Sequence, residues 1–277
     1  MANKIPIITL ITDFGLVDNY VGIMKGVIYS INPDVRIIDI THQINPYDLR
    51  GANYILKAAF KYFPEGTIHV VIVDPGVGSQ REIILIKTKD YYFLAPNNGI
   101  LDFACDKIKI VEVTNKKYFL NEISSTFHGR DIFAPTAAYL SLGKQIEEFG
   151  HKLNKIKTLP PEFKPKFDKN KIVAEIIYID HFGNLITNIV REEFPFEDSK
   201  VLVEVADSQI KGISQTYSQL NRGELLALWG SNNHLEISVN LGNFSFLHFS
   251  LFFLLFSFSK CRCKVNIIPN TTDFYNF

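Results

Sequence analysis

The side chains best able to do chemistry sit where apolar runs break off. Asp13 follows the run Ile5–Ile11 in Thr12-Asp13-Phe14-Gly15, and Asp74 follows another in Val73-Asp74-Pro75-Gly76-Val77-Gly78. Arg81 comes seven residues after Asp74, across that glycine-rich turn, and His128 stands in Phe127-His128-Gly129-Arg130-Asp131. Carboxylate, guanidinium and imidazole groups accept protons, stabilise anions and relay charge. Each has a plainer role as well: aspartates close turns and cap helices, arginines coat surfaces, and lone histidines are usually structural or solvated. Ligands of a parallel sheet bind beyond the carboxyl ends of its strands, which places Asp13, Asp74 and Arg81 on one rim. Spacing alone supports a polar rim site and selects no reaction.

Two hydrophobic periods alternate in the elements that must carry this rim. Ile5–Ile11 reads as a strand buried on both faces, followed by Val21, Met24, Ile28 and Ile31 at helical spacing behind Asp18 as N-cap. Val35–Ile40 reads as a second strand, Leu49, Ala52, Ile55, Leu56, Ala59 and Phe63 as one face of a helix, and Thr67–Val73 as a third strand. Strands alternating with helices predict an α/β domain with a mostly parallel sheet and right-handed crossovers, here residues 1–154. Asp131–Leu142 reads as a further helix capped by Asp131. Proline and lysine crowd the next stretch, which places a linker at 155–170. Beyond it, Ile172–Ile179, Val201–Val205, Leu225–Trp229 and Leu235–Val239 are short β-type runs split by turn residues, predicting a small β-barrel or sandwich over 171–243.

Residues 244–277 form an atypical tail. Phe244–Ser259 consists only of Phe, Ser, Leu and one His, and the sequence from Lys260 onward is polar and unpatterned. A membrane span needs about 20 apolar residues, so this run is too short. The preferred expectation is that unrelated sequence replaces the strand that would end the β domain, leaving one barrel edge without a partner.

Composition narrows the partners. Lysine plus arginine and aspartate plus glutamate balance at 29 each, so no net field draws the chain to nucleic acid or an anionic membrane. A small neutral or zwitterionic ligand fits better. Cys105, Cys261 and Cys263 form no disulfide framework, and no signal-peptide pattern opens the chain, so a cytoplasmic setting is expected. The histidines at 42, 69, 151, 181, 234 and 248 show no metal-ligand spacing, and no metal is expected. The chain also contains no Gly-x-Ser-x-Gly elbow and no phosphate-binding Gly-x-x-x-x-Gly-Lys-Ser/Thr loop.

Six strings in order carry a resemblance. They are Thr12-Asp13-Phe14-Gly15 with Asp18-x-Tyr20-Val21-Gly22-x-Met24-Lys25-Gly26, Asp39-Ile40-Thr41-His42, Val73 to Gly78, Phe127 to Pro135, and Asp180-His181-Phe182-Gly183-Asn184. Together they resemble the S-adenosylmethionine (SAM) hydrolases, or SAM hydroxide adenosyltransferases, relatives of the SAM-dependent fluorinase and chlorinase. The likeness spans about Ile5 to Asn243. It implies an α/β domain and a β-barrel, assembled as a homotrimer with each site between one subunit's N-terminal domain and its neighbour's C-terminal domain.

The resemblance also implies roles for residues. Asp74, Arg81 and His128 would handle water, Asp13 would bind the ribose hydroxyls, and Tyr47 would pack near the ribose. Asp18 and Asp180 would face the methionine ammonium, Phe182 and Asn184 the nucleoside, and Ser231 the methionine carboxylate. Asn243 lies in the adenine-binding turn, where the bulky Phe244 departs from the small residue of the family pattern. No cofactor is implied, because SAM is the substrate, converted to adenosine and L-methionine. Methionine leaves the sulfonium as a neutral thioether, so only the nucleophile needs help: Asp74 to take a proton, Arg81 to stabilise hydroxide, His128 to orient or relay. The alternatives are a SAM-dependent halogenase, disfavoured because that branch has Tyr-Pro where Asp74-Pro75 stands, and a non-catalytic adenosine- or SAM-binding protein with a degraded C-terminus.

Overall fold

In the first of two compact units, Met1–Leu159, a seven-stranded sheet is sandwiched between helices. The second unit is Pro160–Phe277. The computed structural model describes residues 5–104, 109–168, 170–243 and 264–269. Cys105, Cys261, Cys263 and Phe244–Ser259 lie outside the described residues.

The first unit's strands are β1 (Ile7–Thr12), β2 (Arg36–Thr41), β3 (Ile68–Ile72), β4 (Ile83–Lys87), β5 (Tyr92–Pro96), β6 (Lys109–Val113) and β7 (Gly150–Lys152). Their spatial order is β2-β1-β3-β5-β4-β6-β7. The β2-β1-β3-β5 half is parallel, while β4, β6 and β7 extend it antiparallel. Helix α1 (Tyr20–Ile31) joins β1 to β2, and α2 (Leu49–Ala59) joins β2 to β3. Because β2 and β3 flank β1 on opposite sides, right-handed crossovers must put these helices on opposite faces. The cores agree. Met24 and Ile28 of α1 pack with Ile8, Leu10, Val70 and Ile72, together with Ala134, Ala137 and Ala138 of α3 (Ala134–Ser141). On the other face Ala52 and Leu56 of α2 pack with Ile11, Val71, Val73, Ile84 and Ile86. Successive residues of one strand thus enter different cores, which is why β1 and β3 read as continuous apolar runs.

One buried position breaks that apolar run. His69 of β3 is fully buried beside its register partner Thr9, whose Oγ1 lies 2.8 Å from Nδ1. Phe93 stacks on the imidazole at 5.3 Å, and Phe60, Phe63 and Tyr91 surround it. Burial drives its pKa from 6.5 down to about 3, so His69 is a neutral core residue.

Two helix starts differ from expectation. Asn19 occupies the N-cap position of α1, with Asp18 one residue outside. Asp131 does not cap the third helix: it is fully buried inside a π-helical turn, Gly129–Phe133, that runs into α3. Its carboxylate accepts hydrogen bonds from Arg130 Nε at 2.5 Å and from the Ser124 N–H at 2.8 Å. The extra residue in a π turn rotates the chain relative to an α-helix, which carries Asp131 inward.

The second unit is a nearly closed antiparallel barrel. Its strands are β8 (Lys166–Asp168), β9 (Lys171–Ile179), β10 (Leu185–Val190), β11 (Val201–Val205), β12 (Ser208–Lys211), β13 (Leu225–Trp229), β14 (His234–Val239) and β15 (Lys264–Pro269). The order is β12-β11-β15-β9-β10-β14-β13, with β8 paired to β9. Past β12, the Ser214 N–H bonds the Ala227 carbonyl at 2.7 Å, drawing the last edges together. Val201, Val203 and Val205 point inward with Ile172, Ala174, Leu235 and Ile237, following the two-residue period.

Strand β15 corrects the reading of the tail. The polar stretch after Lys260 contains a strand after all, inserted between β9 and β11 and paired with both. Val265 and Ile267 are fully buried in the barrel core. The edge expected to stand open is filled.

Candidate active site

Asp74, Arg81 and His128 are brought together at the carboxyl end of β3. Arg81 Nε donates to both Asp74 oxygens, at 3.0 and 2.8 Å, and Arg81 Nη2 lies 2.5 Å from Oδ2. Both side chains are over nine-tenths buried. The turn between them is shaped for this pairing. The Gly76 N–H donates to Asp74 Oδ1 at 3.2 Å, and the Gly76 α-carbon lies under the Arg81 stem. Gly78 adopts φ +77°, where an added Cβ would come within 2.3 Å of the Ser125 carbonyl oxygen. No other residue fits there.

The same guanidinium reaches His128. Arg81 Nη2 lies 2.9 Å from His128 Nδ1, and since a guanidinium can only donate, Nδ1 must accept. The neutral tautomer therefore carries its proton on Nε2. Burial holds the His128 pKa below 6.5, and the neighbouring Arg81 charge adds to that, outweighing Asp74 and Asp131. His128 stands at the N-cap of the π-helical turn, with the ring of Phe127 beside it in sequence. Phe127 packs edge-on against Phe14 and Tyr20 at 6.1 and 5.1 Å.

Asp13 lies one residue beyond β1, on the rim next to Asp74. Burial raises its pKa; the Tyr47 N–H, donating to Oδ2 at 3.0 Å, works against the rise and the charge of Asp74 adds to it. Tyr47 has φ +67°, a conformation costing a side-chain-bearing residue about 1–2 kcal/mol. That strain aims its N–H at Asp13 just before Asp48 caps α2 by accepting from the Gly51 N–H at 3.0 Å. Tyr47 is 64% exposed. Asp18 is exposed in the loop before α1.

In the second unit, Asp180, Phe182 and Asn184 share the turn between β9 and β10, and Asn243, beyond β14, lies against it. Asp180 Oδ1 accepts from the Phe182 and Asn184 N–H groups, each at 2.9 Å, and Oδ2 accepts from the Asn184 amide at 2.8 Å. The Asp180 carboxylate is thus oriented by its own loop. Gly183, at φ +83°, presents its α-carbon to the Asn243 side chain, which a Cβ would meet at 2.0 Å. Phe182, at the tip, is 71% exposed. Ser231 is exposed on the turn between β13 and β14, where the buried Glu236 lies against Gly230 and accepts from Tyr217 Oη at 2.9 Å.

Thr12 and His42 escaped selection from sequence as site residues. Both are buried, and Thr12 Oγ1 lies 2.8 Å from His42 Nδ1. The rim rule applied to β2, whose end adjoins that of β1, would have drawn His42 in. Among the described residues no group of three His, Cys, Asp or Glu could hold a metal ion, and no helix is long and apolar enough to cross a membrane.

Comparison with known proteins fits this geometry. The model of the SAM hydroxide adenosyltransferase N-terminal domain matches residues 8–150, and that of its C-terminal domain matches 174–248. An (R)-S-adenosyl-L-methionine hydrolase of Methanocaldococcus jannaschii is 34% identical over 257 residues, covering 87% of this chain and 91% of the relative. A fluorinase of an Actinoplanes species is 31% identical over 224 residues, 69% of this chain and 74% of its own. The crystal structure of an uncharacterized conserved protein from Thermotoga maritima superposes with a TM-score of 0.83 at 38% identity, covering 95% of this chain and all of that one. With both of its domain models matched in order along one chain, this protein belongs to the SAM hydroxide adenosyltransferase family, to which the fluorinases are related.

Proposed function

We propose that this protein hydrolyses S-adenosyl-L-methionine to adenosine and L-methionine by attack of water or hydroxide at C5′. The observation that carries the proposal is the unbroken Asp74–Arg81–His128 contact chain at the end of β3. Water has a pKa of about 15.7, so making it a nucleophile requires a proton acceptor and a stabiliser of the emerging anion. Asp74 supplies the acceptor and Arg81 the cation. His128, with Nδ1 engaged by Arg81, offers the Nε2–H to orient the attacking oxygen. No acid is required at the leaving group, since methionine departs as a neutral thioether.

The buried carboxylate of Asp74 also argues against halide use, because a desolvated anion beside it would be repelled. Asp13 suits the two ribose hydroxyls, Tyr47 the ribose face, Phe182 and Asn184 the nucleoside, Asn243 the adenine turn, and Asp18, Asp180 and Ser231 the methionine end. A cytoplasmic homotrimer, with each site shared between the N-terminal domain of one subunit and the C-terminal domain of the next, completes the proposal.

The deciding experiment incubates purified protein with SAM in ordinary and in ¹⁸O-labelled water and separates the products by chromatography. Adenosine carrying label in its 5′-hydroxyl is the expected result. Unlabelled adenosine, or none, would end the proposal. Asp13→Ala is expected to weaken adenosine and SAM alike, by roughly tenfold or more, because charge-assisted bonds to hydroxyls contribute about 1.5–3 kcal/mol each. Calorimetric titration with adenosine measures it, and an unchanged dissociation constant would remove Asp13 from the site.

A further inference from the structure

We infer that His42 is a positioning residue that sets the ribose-binding loop, acting on Asp13 through Thr12 and Gly15. This rests on the proposed ribose role of Asp13. His42 lies just past β2, and it holds the loop Thr12-Asp13-Phe14-Gly15 at both ends. Its imidazole Nδ1 is 2.8 Å from Thr12 Oγ1, and its backbone carbonyl accepts the Gly15 N–H at 2.8 Å. Asp13 is the residue strung between these anchors.

The far side of the ring fixes the direction of the bonding. Asp39 Oδ1 lies 3.1 Å from His42 Nε2, and Asp39 Oδ2 accepts from Lys25 Nζ at 2.5 Å. Partial burial works against ionisation of Asp39, but Lys25 and His42 hold its carboxyl below the usual range. A carboxylate facing Nε2 keeps the proton on that nitrogen, so Nδ1 is an acceptor and Thr12 donates its hydroxyl hydrogen to it. Thr12 Oγ1 in turn accepts the Phe14 N–H at 3.2 Å. The bonds therefore run one way, from the Phe14 amide through Thr12 to His42 Nδ1, while Nε2 meets Asp39 in an electrostatic contact and not a directed hydrogen bond. With Thr12 and His42 both buried, a removed partner leaves an unpaired polar group under the rim rather than one that water can satisfy. Gly15 at φ +66° lets the chain turn back to the His42 carbonyl.

The test compares adenosine with adenine, which lacks the ribose, by calorimetric titration of full-length His42→Ala, Thr12→Val and His42→Asn. All are checked for folding by circular dichroism. His42→Ala and Thr12→Val are each expected to weaken adenosine by roughly tenfold, the scale of one or two lost hydrogen bonds, while adenine affinity stays put. The double variant should be no worse than the weaker single, because both remove the same bond. His42→Asn, whose amide oxygen can accept from Thr12, should recover most of the loss. Should His42→Ala not fold, the isosteric Thr12→Val carries the comparison. Unchanged adenosine affinity, equal losses for adenine and adenosine, or no recovery in His42→Asn would overturn the brace while leaving the hydrolase proposal standing. Failure of the wild-type protein to bind adenosine would overturn the ribose role of Asp13, and the brace with it.

Discussion

Asp74→Asn is expected to cut the rate of SAM hydrolysis by ~10²-fold or more, the scale of general-base catalysis, while adenosine binding persists. The substitution keeps the shape of the side chain and removes its charge. It also turns one acceptor into a donor, and that donor would face Arg81 Nε or Nη2, which now donate to both carboxylate oxygens. Arg81 is 9% exposed, so losing its counter-ion leaves a cation with little water to turn to. The guanidinium must move, and His128 Nδ1 loses its donor when it does. One isosteric change thus undoes the proton acceptor and the orientation of the imidazole together. Adenosine titration separates this from unfolding, since Asp13 takes its own hydrogen bond from Tyr47. The measurement is chromatographic adenosine formation at saturating SAM. A wild-type rate in Asp74→Asn would mean that the buried trio is only structural.

The second large effect concerns acid stability and the core. His69 has a folded-state pKa of about 3 against an ordinary 6.5. Below pH 6.5 the unfolded chain takes up a proton that the folded chain refuses, so stability falls as the pH drops from about 6.5 toward about 3. Above that window both states are neutral at this residue and it adds no slope. One extra proton on the unfolded state changes stability by about 1.4 kcal/mol per pH unit. His69→Asn removes the titration while placing an amide group where Nδ1 meets Thr9. It should be less stable at pH 7, through lost ring packing with Phe93, yet lose less stability than wild type between pH 6 and pH 4. Urea unfolding at a series of pH values tests this. Parallel curves for the two proteins would show that His69 is protonated in the fold and that its burial is not what the geometry indicates.

β1 and β3 were legible in the sequence because each is buried on both faces, and a continuous apolar run records that directly. The edge strand β2 was legible from its β-branched run, Val35 to Ile40, although none of its own residues is fully buried. Ile83–Lys87 and Tyr92–Pro96 are equally apolar, but the tight link between them offers no helical period to announce a strand, and their antiparallel pairing went unread. Asp131 looked like a helix cap because an acid before an apolar segment usually is one. Nothing in the residue types signals that a π turn will swing it into the core. Lys264–Pro269 is short, lies behind Cys-Arg-Cys, and has only Val265 and Ile267 to mark its inward face. The rim rule found Asp13, Asp74 and Arg81, whereas His128 joins them only through the tertiary approach of Arg81 Nη2. Asp180 was read by its charge, and the hydrogen bonds that orient its carboxylate come from its own loop, which no spacing signals.

The place of β15 in the barrel has a kinetic consequence. The strand enters the middle of the sheet, pairing Ile172 with Ile267 on one side and Val201 with Pro269 on the other. Closing a loop of that length costs chain entropy before any contact rewards it, and pairings so distant in sequence slow folding. The first unit is different: β1, β2 and β3 join through single helices and can assemble from near neighbours. In refolding from urea, the early phase should therefore belong to the sheet that bears Asp74, and the slow phase to the barrel waiting for its last strand. Until that strand docks, β9 and β11 offer unpaired edges to any other chain in solution, so crowded refolding should lose barrels to aggregation before it loses sheets.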